Sequence, residues 1–114
     1  MNEAHDFSAQ RAETFAVFRN LNDSADLPEI ADVDYFFVAS EGEIDWPALA
    51  DALAAEGYLC ELVDETGEDA EAPYMVATLT EQPLSAEGIW IGEEIATRIA
   101  LARGARPDGW GFSA

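Results

Sequence analysis

Seven consecutive residues limit the fold of this chain more than any others: Val33-Asp34-Tyr35-Phe36-Phe37-Val38-Ala39. They are dense in the aromatic and β-branched side chains that fit a pleated surface. Successive side chains of an extended segment point to opposite faces. Tyr35 and Phe37 therefore share one side, and Phe36 and Val38 share the other. Both sides are apolar, which predicts a central strand with cover on each face. The rest of the chain has to supply strands at both edges and a layer of helices above.

The neighbours can be read in order. From about Phe7 to Leu21 the pattern is helical, with Phe15, Phe18 and Leu21 on one stripe and Phe7, Arg11 and Ala12 at its edge. Asp6 or Ser8 is placed to cap it. Asn22-Asp23-Ser24-Ala25-Asp26 breaks the periodicity, and the acidic link through Pro28 to Asp32 reads as a surface loop. Asp45-Trp46-Pro47 opens a second helix, with Asp45 as cap and proline in the first turn. Trp46, Leu49, Ala50 and Leu53 form its buried stripe, and Gly57 stops it. Tyr58 to Val63 reads as a strand, Asp64 to Ala72 as a solvated acidic hairpin loop, and Tyr74 to Thr80 as a third strand entered through Pro73. Ser85 caps the next helix, with Leu84 and Ile89 spaced as a hydrophobic staple. Ile91, Ile95, Ile99 and Ala102 fall on one face of it, and Gly104 ends it. Gly88 and Gly92 would let a crossing element, or a ligand, pack closely. Trp110 and Phe112 belong to a last strand.

After the first helix the order is β-α-β-β-α-β. That order predicts an α+β, ferredoxin-like fold: a four-stranded antiparallel sheet with two helices on one face, plus an N-terminal helix. The extra helix either covers the second face of Val33–Ala39 or lies beside the helix layer. A length of 114 residues fits one domain, 1–114.

The charge balance narrows function. Asp and Glu number 24 against five basic residues, all arginine, for a net charge of −19. Phosphate-bearing partners would be repelled, so neither nucleic acid nor an anionic membrane is expected to bind. A basic protein partner is expected instead. One cysteine, Cys60, excludes an internal disulfide and fits a reducing compartment. No apolar run approaches the ~20 residues of a membrane span. The first residues carry neither a basic nor an apolar leader segment, so the expected home is the cytoplasm.

Catalytic chemistry is poorly supplied. His5 is the sole histidine and lies in a terminus expected to be mobile. Cys60 lies mid-strand with no activating neighbour, and lysine is absent, which removes Schiff-base and P-loop chemistry. Zinc, EF-hand and dinucleotide spacings are missing as well. No enzyme, cofactor or metal is expected. Binding remains, through the acidic stretches Asp23–Asp32, Glu41–Asp45 and above all Asp64, Glu65, Glu68, Asp69 and Glu71. Trp46 and Trp90 are the first candidates for an aromatic anchor. Trp90 lies about 100° around its helix from Ile91, which leaves it either partly exposed or a flank of the core. Phe36 and Val38 would sit in an interface if the sheet face paired two copies.

The C-terminal stretch Arg106-Pro107-Asp108-Gly109-Trp110-Gly111-Phe112 combines a turn-forming Asp-Gly with two aromatics that share a face if the segment is extended. It reads as a final strand sealing the core, or as a recognition surface. Gly109 and Gly111 would let another element come close. This Pro107–Gly111 corner, the helix ending Ala50–Tyr58, the strand Tyr74–Leu79 and the helix after Leu84-Ser85 together resemble the regulator of ribonuclease E activity B (RraB) family, small acidic bacterial proteins. The resemblance covers most of the chain. It implies a ferredoxin-like α+β fold and a non-catalytic protein that binds ribonuclease E, at the scaffold region outside its catalytic domain, and lowers its activity. Asp108, Gly109, Trp110 and Gly111 carry over as motif positions. The best-known members continue past the tryptophan into a long acidic tail, whereas here the acidity lies in loops. Two other readings fit the composition: a small-ligand-binding ferredoxin-like module, with Gly88 and Gly92 as the place to look, and an immunity- or antitoxin-like inhibitor of another basic protein.

Overall fold

The computed structural model describes residues 5–64 and 72–113. Its elements are α1 (Phe7–Ser24), β1 (Ile30–Ala39), α2 (Trp46–Ala55), β2 (Leu59–Val63), β3 (Tyr74–Pro83), α3 (Ala86–Leu101) and β4 (Ala105–Ser113). The strands form one sheet in the order β2-β3-β1-β4, and every pair is antiparallel. β1 is thus central, as its two apolar faces require.

Val33, Tyr35 and Phe37 of β1 are buried beneath Leu49 and Leu53 of α2 and Ile89, Ala96 and Ala100 of α3, and Met75 and Ala77 of β3 join the same cluster. The second face of β1 is less well covered than its apolarity predicts. Phe36 and Val38 are half-buried, and among the described residues no helix crosses them; the Phe36 ring meets Tyr74 edge-on at 6.3 Å. α1 takes the other course and packs against α3.

Helix starts follow local chemistry. The Asp6, Asp45 and Ser85 side chains each accept a hydrogen bond from the backbone N–H three residues on, at 2.9, 3.1 and 3.0 Å. Gly57 and Gly104 follow α2 and α3 with positive φ.

Four expectations are corrected. First, β1 starts at Ile30 and β3 runs on to Pro83, because Ile30 and Ala31 pair with Pro83 and Gln82. An extra residue on β3 interrupts that pairing, and the Asp32 carboxylate accepts from the Glu81 N–H at 2.9 Å. Second, α1 runs to Ser24, through the Asn22-Asp23-Ser24 break, and its one buried residue is Thr14. Phe15 stays half-buried beneath the Arg11 guanidinium, 4.2 Å from its ring centre.

Third, α3 buries Ile89, Trp90, Gly92, Glu93, Ala96, Thr97 and Ala100, while Ile91 and Ile95 are 57% and 41% exposed. Close packing decided this face. A Cβ on Gly92 would fall 2.9 Å from Leu79 Cδ1 and closer still to the Tyr35 hydroxyl. The Tyr35 and Tyr58 hydroxyls donate to the carbonyls of Ile89 and Gly92, at 2.9 and 2.6 Å. Small residues therefore face the sheet beside Ile89, and Ile91 and Ile95 are left outside. Fourth, Gly109 meets nothing where a Cβ would stand. Its φ of +106° is what calls for glycine there, not a close neighbour.

Candidate functional site

Three elements enclose a groove of about 640 Å³: the first half of α1 with His5 before it, Glu93 of α3, and Pro107–Trp110 of β4.

The α1–α3 side is a polar seam. Along it the Arg98 guanidinium lies over the Phe7 ring, the Gln10 amide donates to Thr97 Oγ1 at 3.0 Å, and the Thr14 hydroxyl donates to Glu93 Oε1. His5 Nε2 is 2.6 Å from Gln10 Oε1 and its ring meets Phe7 edge-on, so this histidine is held in place. Glu93 is 4% exposed, yet it lines the groove. Burial pushes its pKa up; the Thr14 hydroxyl and then the Gln10 amide lower it, Glu13 raises it and His5 lowers it. Among the described residues no arginine pairs with Glu93, and the one ion pair joins Arg98 to Glu94.

The β4 side is shaped by a bulge. Tyr35 pairs with Trp110 and Phe37 pairs with Pro107, so β4 spends one more residue than β1 across Asp108-Gly109. The Asp-Gly pair thus forms a kink inside a strand, where a turn was predicted. Asp108, Gly109 and Trp110 all line the groove, with Asp108 exposed and Trp110 half-buried against the core. Gly111 lies opposite Asp34, with Phe36 Cε2 4.0 Å from where its Cβ would be.

Asp6, Glu13, Glu93 and Asp108 line the groove, together with Ala9, Val17, Pro107 and Trp110 as apolar wall, and no arginine does. The arrangement offers negative charge beside apolar surface. Cys60 is half-buried and does not line the groove, and burial raises its pKa, while burial lifts the Tyr58 phenol to about 12.

The other predicted site residues are placed as follows. Asp64 is exposed after β2, and Glu65, Glu68, Asp69 and Glu71 lie outside the described residues. Trp90 is 7% exposed, a flank of the core, and Trp46 is half-buried against α2's side of it. Gly88 and Gly92 face Ser85 and the Tyr35–Leu79 packing, and neither lines the groove. His5, Gln10, Glu13, Thr14 and Glu93 were not expected at a site. Their signal is present in the sequence as two polar pairs at helical spacing, Gln10/Thr14 and Glu93/Thr97, one on each of the two helices that pack together.

A family model described as regulator of ribonuclease activity B matches residues 11–112. The chain belongs to this family. The match contains Glu13, Thr14, Val17 and Glu93 of the groove and the whole Asp108–Gly111 corner, while His5, Asp6, Ala9 and Gln10 precede it. A comparison with curated proteins finds no match. The RraB description names a regulator. Among the described residues no helix is long and apolar enough to cross a membrane.

Proposed function

We propose that this chain is a non-catalytic, acidic regulatory protein that binds a ribonuclease E-type endoribonuclease in the cytoplasm and lowers its activity by protein–protein contact. The family match over residues 11–112 carries this reading. Residues 1–114 act as one RraB-like domain, and the β2-β3-β1-β4 order is read as the ferredoxin-like arrangement with α1 added beside its helices. A net charge of −19 supports a basic partner segment and disfavours direct competition for RNA. Asp64, Glu65, Glu68, Asp69 and Glu71 contribute long-range steering, and the groove contributes the specific contact. An open groove with four carboxylates suits a charged side chain better than an apolar small ligand, which places the ligand-module reading second.

The test uses purified chain and purified ribonuclease E-type enzyme from the same cell. Binding is expected at low salt, together with slower RNA cleavage. Raising salt to about 0.5 M, where the Debye length is only about 4–5 Å, is expected to release the complex. Absence of binding at low salt would sink the proposal.

A further inference from the structure

We propose that the groove between α1, α3 and β4 receives a single arginine side chain of the protein partner, with Glu93 as its counter-ion and Trp110 and Val17 as walls for its stem. The proposal deepens the regulatory reading and rests on it only for the partner's basic chemistry. Two features of the groove point to this occupant. The first is the lining, which holds four carboxylates and no arginine. The second is Glu93 itself. It is buried to 4% exposure, the Thr14 hydroxyl donates to one of its oxygens, the Gln10 amide also stands close enough to favour its charged form, and no arginine pairs with it among the described residues. Glu93 nonetheless lines the groove, so an incoming side chain meets this carboxyl at the groove wall.

A carboxylate so placed has lost most of its water and has no arginine of its own, with only the His5 ring as a nearby base, which is a setting where an incoming charge-assisted hydrogen bond counts. Arginine suits it better than lysine. Its planar fork is less tightly hydrated and stacks on aromatic surface, and its methylenes can cover Val17 and Pro107. The Thr14 hydroxyl fixes the Glu93 carboxyl, so less freedom is lost when the arginine enters.

The test is an amide and indole NMR titration of the full chain with a short arginine-rich peptide, with the neutral citrulline version of that peptide, and with spermidine as a free cation. Shifts are expected to concentrate at Ala9, Glu13, Glu93, Gly109 and the Trp110 indole, and the citrulline peptide is expected to leave them unmoved. Glu93→Gln, which keeps the shape, is expected to weaken peptide binding at least about tenfold. Asp51→Asn, on the exposed side of α2, should change it less than about twofold. If Glu93→Gln does not fold, Asp108→Asn at the exposed bulge replaces it, with a loss of about threefold expected.

Shifts spread evenly over the acidic surface, spermidine matching the peptide in affinity and site, or a Glu93→Gln affinity within about twofold of wild type would overturn the proposal. The nuclease assay separates the two readings. Groove binding of the peptide without nuclease binding upholds the groove and removes the family function. Equal inhibition of the nuclease by wild type and Glu93→Gln upholds the function and removes the groove as its docking point.

Discussion

A carboxyl group that is 4% exposed and has no arginine paired with it titrates against its surroundings. Around Glu93 stand Thr14, Gln10 and Glu13 from α1, His5 before α1, and Asp108 across the groove. Burial dominates and raises its pKa, so the folded chain holds this proton more tightly than the unfolded chain does. Its contribution to stability is greatest below the ordinary glutamate range and falls as pH rises through the raised pKa. Glu93→Gln removes that dependence. Thermal midpoints of the two proteins between about pH 4 and about pH 7.5 are expected to diverge, with the variant gaining on wild type as pH rises. Parallel curves would show that Glu93 titrates as an ordinary surface acid. No composition argument marks this residue, because one glutamate among 24 acids carries no label until the fold removes its water.

At the scale of elements, caps and strand cores were legible because they depend on near neighbours. Asp45 and Ser85 cap from the position before their helices, and the alternation of Val33–Phe37 declares the face they bury. Two things were not legible, and both depend on distant partners. The buried face of α3 was chosen by the Tyr35 and Leu79 side chains pressing on Gly92, so hydrophobic spacing pointed to the wrong side. The kink at Asp108-Gly109 exists only in register with β1. Gly109→Ala tests that kink. A φ of +106° costs a non-glycine residue roughly 1–3 kcal/mol, with nothing nearby to clash. Denaturant unfolding should show that loss. An alanine variant as stable as wild type would mean that β4 can run straight past this point.

At the scale of the molecule, the sign of the charge was plain and its geography was not. The groove is assembled from residues 5–17, 93 and 107–110, three segments that only the fold brings together. A charge of −19 on 114 residues also strains the folded state by self-repulsion. Salt should therefore act with opposite signs on folding and on binding. Between about 10 mM and about 500 mM sodium chloride the screening length falls from about 30 Å to below 8 Å, and the thermal midpoint of the isolated chain is expected to rise while partner affinity falls. A midpoint that drops with salt would mean that attractive pairs outweigh the repulsion.

The kink in β4 has one more effect, on the outer rim of the sheet. β4 is an edge strand, and a straight edge of unpaired backbone groups is a template on which another chain can add a strand. Here that edge carries Pro107, which has no N–H to offer, then a misaligned step at Asp108-Gly109, with Arg106 and Asp108 as charged flanks. Such an edge resists being extended, by a second copy or by a foreign peptide. Whatever meets this side of the protein has to be recognised by side chains entering from the surface, because the backbone there has been made unreadable.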